Sequence, residues 1–277
     1  MNNLKLLLPT QKIQRAENLS YEVACIIAAE APGEQWHPDY KKDKEGFRRI
    51  IRQEIRFERA MYRYFREQAN NVDNLVNWNY YHRKLTAADG PIDTQEWEGE
   101  LVKLKVLFYD NIEEFFDIGM NAAATEIGTP LPFDVKDMPA QRAIQKHGLE
   151  QAKRINKTTK NRIRAALKRS LSTGENQTEA ANRVQKVVKD RYRAEMIAHT
   201  ESVQAFSLGK LEAGKGMGVE YKEWWDGQAG ACPVCSDELD RRTIPIDEQF
   251  ISSFGTHPGP PAHPWCRCLL KLRRQAS

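Results

Sequence analysis

Residues 214–235 read Gly-Lys-Gly-Met-Gly-Val-Glu-Tyr-Lys-Glu-Trp-Trp-Asp-Gly-Gln-Ala-Gly-Ala-Cys-Pro-Val-Cys. The glycines at 214, 216 and 218 close a helical pattern, because glycine readily takes the backbone conformations of helix ends and turns. Val219 to Trp225 then alternates and is rich in aromatics, which predicts a short strand. Cys232 and Cys235 follow as a C-x2-C pair. The period of the chain changes here, and the two flanks predict different architectures.

Upstream the sequence reads as helix. Phe47, Ile50, Ile51, Ile55, Met61, Tyr62 and Phe65 fall mostly on one face at helical spacing, broken at Glu58, with Arg and Lys filling the other face. Leu101, Leu104, Phe108, Ile112 and Phe115 form a cleaner stripe. Both stripes are expected to be bundle core, with no cofactor needed to explain them. Asn70-Asn71, Asn77 to Asn79 and Ala88-Asp89-Gly90-Pro91 supply breaks between helices. A boundary is expected from Gly128 through Pro139, where glycine and prolines interrupt the helical period. Helices resume near Ala140, break at Thr173-Gly174, and continue with a segment from about Arg191 to Leu211.

Downstream, Thr243-Ile244-Pro245-Ile246 is a second strand candidate, confined to an edge or loop because Pro245 has no amide proton to donate. From Thr256 onward, Pro258, Pro260, Pro261 and Pro264 predict irregular chain. The expected fold is α+β, mainly α. A helical N-terminal domain (1–135) precedes a small zinc-stapled α/β domain (136–277).

The 277 residues are 40% hydrophobic and 29% charged, which is enough to build cores and too apolar for a wholly disordered chain. Mean hydropathy is −0.68. The apolar runs Leu6–Leu8 and Val23–Ala29 are too short to span a membrane and lack the layout of a signal peptide. The net charge of +4 is unevenly spread. Residues 151–277 hold 22 Lys and Arg against 14 Asp and Glu, whereas residues 1–150 hold 20 against 24. That asymmetry predicts two functional surfaces.

Of the five cysteines, Cys25 stands alone in an apolar stretch and reads as a small core residue. The others, Cys232, Cys235, Cys266 and Cys268, cluster late in the chain. Without a secretion signal, that clustering favours a metal over disulfides. C-x2-C lets two thiolates face one cation, and His263-Pro-Trp-Cys266 repeats the spacing. Zinc takes four nitrogen or sulfur ligands tetrahedrally. The first choice is Cys232, Cys235, His263 and Cys266, with Cys268 as the alternative to His263. The prolines before His263 lower the entropy lost when distant ligands meet. A catalytic metal would need an open position and a nearby base. Asp237, Glu238, Asp240 and His257 lie close in sequence, but no H-E-x-x-H or H-x-E arrangement accompanies them.

Lys153, Arg154, Lys157, Lys160, Arg162, Arg164, Lys168 and Arg169 fall in one stretch free of Asp and Glu, around the apolar line Ile155, Ile163 and Leu167. Such a segment neutralises phosphates without reading sequence, meets an acidic partner or the acidic N-terminal half, or serves as a solvated face. His199-Thr200-Glu201 is not a catalytic triad, since consecutive helical residues diverge by about 100°. A buried salt link or an inter-helix hydrogen bond is expected there.

Several of these residues recur together. Arg193 precedes Ile197-Ala198-His199-Thr200-Glu201, then come a glycine-punctuated turn, a strand ending Trp224-Trp225, Cys232-Pro-Val-Cys235, and Pro260-Pro261-Ala-His263-Pro-Trp-Cys266-Arg-Cys268. From about Ala140 to Leu270 the order resembles the Mu F-like head morphogenesis proteins, minor head proteins of tailed bacteriophages. The family usually has Arg where His199 stands here. The resemblance implies a few-copy minor capsid component inside the virion, made in the host cytoplasm and associated with the portal. It would act in head assembly or in DNA packaging or ejection. Implied partners are the portal protein, the major capsid or scaffolding protein, and double-stranded DNA bound without sequence preference, with no membrane. No turnover chemistry and no catalytic residue are expected. The alternative is a metal-dependent enzyme acting on nucleic acid or a toxin-like effector. With seven residues after Leu270, an appended effector is not expected.

Overall fold

The computed structural model describes residues 38–82, 94–226, 231–266 and 268–275. Cys25, the two N-terminal apolar runs and the break at Ala88–Pro91 lie outside those residues. Among the described residues five long helices dominate: α1 (Lys44–Asn70), α2 (Thr94–Ile127), α3 (Met138–Ser172), α4 (Gln177–Val188) and α5 (Arg191–Gly216). Short helices span Val72–Leu75 and Trp78–His82. Five short strands follow: β1 (Tyr221–Trp225), β2 (Thr243–Pro245), β3 (Phe250–Ser252), β4 (Gly255–His257) and β5 (Leu269–Arg273). The protein is mainly α with a small antiparallel β portion, as the sequence predicts.

Two compact units emerge, and neither is one continuous stretch. The described residues within Met1–Arg52, Glu114–Ala140 and His199–Ser277 form a sheet unit, and those within Gln53–Glu113 and Gln141–Ala198 form a helical unit. Each draws on residues from both sides of the expected 135/136 boundary.

In the helical unit, Leu75, Trp97, Ile163, Leu167, Ala180, Val184 and Val188 are buried in one apolar cluster. The Trp97 indole donates to the Leu75 carbonyl at 3.2 Å, so its polar edge is satisfied inside that cluster. Phe57 and Phe108 meet edge to face at 5.3 Å. The α2 stripe is core at Leu104, Phe108 and Ile112, and at Phe115 where the helix enters the sheet unit, while Leu101 is only half-buried. On α1 the expected stripe shifts. Ile50, Phe57, Met61 and Phe65 are buried, but Ile55 is 41% exposed. Arg193 is buried against the Phe65 ring and donates to Thr159 Oγ1 at 2.8 Å and the Ile155 carbonyl at 3.1 Å. Burial first, then the Arg162 charge, pulls its pKa down to about 10. The break at Thr173-Gly174 is followed by a capping box, in which Asn176 accepts from the Glu179 amide and Glu179 accepts from the Asn176 amide.

In the sheet unit, α2 and α5 approach closely. A Cβ on Gly209 would lie 2.1 Å from the Phe116 carbonyl oxygen, and one on Gly119 would lie 2.1 Å from that of Phe206. Only glycine permits that backbone contact. The end of α5 falls later than expected, at Gly216, with Gly214 and Gly216 inside its last turns. Gly218 takes φ +71°, and the Val219 amide bonds the Gly214 carbonyl while the Gly218 amide bonds that of Lys215. This double return is the Schellman stop. Lys210 is buried, pairs with Glu126 and donates to the Leu270 carbonyl at 2.8 Å, fastening α5 to β5.

β1 is the centre of a three-stranded sheet in the order β2-β1-β5, and β3 pairs with β4. Pro245 sits on edge strand β2, where its missing donor does no harm. The expectation of irregular chain after Thr256 needs correction, because β4 and β5 both form there. The prolines end at Pro264, and Leu270 and Leu272 of β5 then bury their side chains beside β1.

Candidate metal centre

The register of β1 with β5 gathers the cysteines. The strands run antiparallel with Trp225 opposite Leu269, so the chain leaving β1 and the chain entering β5 lie at one end of the sheet. Cys232 and Cys235 sit on the first segment and His263, Cys266 and Cys268 on the second. All five side chains are buried. A π-helical turn, Val234–Leu239, carries Cys235. The Cys235 amide donates to Cys232 Sγ at 3.4 Å, the contact that bends a C-x2-C knuckle around its first sulfur.

Two groupings have their donor atoms within 4.8 Å of one another: Cys232, Cys235 and His263, and Cys235, Cys266 and Cys268. Cys235 belongs to both. His263 Nε2 lies 3.0 Å from Cys232 Sγ and 3.4 Å from Cys235 Sγ, and Cys235 Sγ is 3.8 Å from Cys266 Sγ. A tetrahedral ion with sulfur ligands at about 2.3 Å holds two sulfurs about 3.8 Å apart. Disulfide sulfurs would be about 2 Å apart. The donor set therefore fits a metal ion in chemistry and in spacing, and each grouping could hold one.

The imidazole is oriented for that task. His263 Nδ1 is 2.7 Å from the Pro264 carbonyl oxygen, which can only accept, so Nδ1 carries the proton and Nε2 presents its lone pair to the thiols. Such backbone support of the distal nitrogen is what orients metal-binding histidines generally. The thiol pKa values shift in opposite directions around the cluster. Hydrogen bonding from Cys235 first, with a further contribution from the adjacent His263, brings Cys232 down to about 5. Cys266 is held well below its ordinary value despite burial, by hydrogen bonds from Cys235 and Cys268. Cys235 is raised by its sulfur neighbours, and Cys268 chiefly by burial. Packed sulfurs share their charge in this way, and a cation favours the thiolate form of each ligand it binds.

A link the sequence did not reveal supports the His263–Cys266 turn. Trp265, at φ +61°, donates its amide to Thr200 Oγ1 at 3.2 Å, and its ring stacks on His199 at 5.3 Å and 26°. His199 and Thr200 thus make a ring stack and a helix-to-loop hydrogen bond that both end on the metal-site loop, where the sequence predicts a salt link or an inter-helix hydrogen bond.

The basic stretch lies on α3, in the helical unit. Lys153, Arg154, Lys157, Lys168 and Arg169 are exposed. Lys160 sits over the Trp97 ring at 5.3 Å, Arg162 pairs with Asp190 at 2.8 Å, and Arg164 donates to Asn161 at 3.1 Å. Ile155, Ile163 and Leu167 are buried as expected. Asp237 and Asp240 do not join either metal grouping, and Glu238 binds the Ser253 amide and hydroxyl, both at 2.7 Å. His257 stands 3.2 Å from Ser252 Oγ.

Residues 161–271 match the family model described as phage Mu protein F like protein. The chain carries a Mu F-like segment. That segment contains every cysteine and histidine of the centre, together with Arg162, Arg164, Lys168 and Arg169 of the basic stretch. It draws on both compact units. Neither the curated proteins nor the solved structures provide a match. Among the described residues no helix is long and apolar enough to cross a membrane.

Proposed function

We propose that this chain is a minor head protein of a tailed bacteriophage, associated with the portal and acting in head assembly or in DNA packaging or ejection. The observation that carries the reading is the Mu F-like match over residues 161–271, whose Cys and His residues converge at one sheet end. The family is a phage head morphogenesis family and is generally structural. In this reading the metal is a structural zinc held by Cys232, Cys235, His263 and Cys266. Zinc suits a buried sulfur-rich set because it binds such ligands tightly without redox chemistry. Cys268 packs beside Cys266 as the alternative fourth ligand. The exposed members of the α3 stretch contact DNA through its phosphates, and the remaining surfaces meet other head proteins.

Quantitative mass spectrometry of purified virions and empty proheads tests the assignment. The proposal predicts a few copies per portal ring. Absence from both particles, with abundance in infected cells, would overturn it and bring an enzymatic role forward. Substituting cobalt and reading its absorption in Cys268→Ser and His263→Ala separates the ligand sets. Loss of the bound-ion spectrum in His263→Ala alone supports the first set. Loss in Cys268→Ser alone supports the second.

A further inference from the structure

Helix α1 carries a second basic feature, independent of the α3 stretch. Arg56, Arg59, Arg63 and Arg66 follow one another at intervals of three, four and three residues, and all four are exposed. At about 100° per residue they fall within an arc of about 80° on the helix. Buried Phe57, Met61, Tyr64 and Gln68 occupy the opposite side. The arginines therefore form a single outward row about 15 Å long at the usual helical rise. None of the four has a carboxylate partner among the described residues, and Glu58 of the same helix is engaged by Arg191 at 3.5 Å. The same spacing continues back through Arg52 to Arg48.

The charge of the surrounding unit points the same way. Among the described residues the helical unit holds 21 Lys and Arg against 14 Asp and Glu, a balance of +7, whereas the sheet unit holds 15 against 18, a balance of −3. We infer that the α1 row is a phosphate-binding surface for the backbone of double-stranded DNA. Three features favour this partner over an acidic protein. The row consists entirely of guanidinium groups, which grip phosphate oxygens two at a time. Exposed Ile55 flanks the row at its edge and does not lie within its arc, whereas protein–protein interfaces centre on apolar and aromatic residues. Finally, it belongs to the unit with the strongly positive balance, as expected for binding dominated by counterion release.

This inference extends the DNA contact proposed for α3, and it can fail separately from it. The experiment titrates the full chain with a short random-sequence duplex by fluorescence anisotropy at several salt concentrations. The R56Q/R59Q/R63Q/R66Q variant is compared with its all-lysine counterpart and with a K153Q/R154Q/K157Q variant of α3. The expected result is weaker binding by the glutamine variant, with the log–log salt slope shallower by about 0.9 for each phosphate no longer neutralised. The all-lysine variant should keep most of the slope, which would show that charge and not folding was removed. An unchanged slope in the glutamine variant would overturn the α1 assignment, whatever the α3 variant does. An unchanged α3 variant beside a weakened α1 variant would overturn only the α3 contact. Binding to polyglutamate that depends on these arginines, with no binding to DNA, would overturn the nucleic-acid assignment in favour of an acidic protein.

Discussion

The two compact units are held together by different means. The helical unit relies on apolar packing between helices, with Trp97, Phe57 and Phe108 at its centre and a basic exterior. The sheet unit has strands of only three to five residues. It brings five buried Cys and His side chains to the end of its sheet. Isolated short strands are marginal in water, so a cation bridging the two segments that flank β1 and β5 would supply what the strands lack. Charge and metal donors are also segregated, since the basic balance belongs to the helical unit and the cysteines to the sheet unit. In sequence order, both fall in one C-terminal half.

The sharpest way to break this contrast is to remove the metal donors. Cys235→Ser deletes the thiol common to both groupings. Structural zinc contributes roughly 10 kcal/mol in small metal-dependent folds. The variant should therefore lose the sheet unit's thermal transition while the helical unit's transition persists. Differential scanning calorimetry reads both. Phe108→Ala should do the reverse. It should weaken the helical unit by about 4 kcal/mol, as for large aromatic truncations in a packed core, and leave metal content unchanged by elemental analysis.

A finer change sharpens the account of the sheet unit. Thr200→Val removes the acceptor for the Trp265 amide and should cost about 1 kcal/mol, the usual net worth of a partly buried hydrogen bond. Chelator competition should show faster metal loss than in the parent. The smallest effect concerns pH. Glu175 is bound by Arg183 and accepts from Ser170 at 2.6 Å, and the Arg183 hydrogen bond first of all lowers its pKa to about 2. Because the folded value lies below the ordinary value of 4.5, its contribution is present above that value and disappears as pH falls toward about 2. Glu175→Gln should therefore flatten acid unfolding of the helical unit between those limits, which circular dichroism would follow.

Local chemistry was legible in the sequence. The α2 stripe, the turn at Gly174, the edge position of Pro245 and the Cys/His knuckle all follow from spacing alone. What was not legible depends on partners distant in the chain. The α1 stripe is displaced toward Phe57 and Tyr64 because the buried face is chosen by what packs on it. Glu58 interrupted the apolar pattern at that point. β5 was hidden behind its prolines, since only pairing with β1 makes a strand of Leu269–Arg273. The contact of Thr200 with Trp265 joins residues 65 apart, and nothing in the spacing of either segment announces it. The arginine row of α1 was readable from its three- and four-residue intervals. It was masked by the acidic balance of the whole N-terminal half, a sum that erases where the charges lie.

The central claim is that a metal ion closes the sheet unit, and native mass spectrometry of the reduced, purified chain tests it most directly. The account predicts a mass one zinc ion above that of the polypeptide, and chelation should abolish that increment together with hydrogen-exchange protection of β1 and β5. A metal-free mass with β1 and β5 fully protected would contradict it.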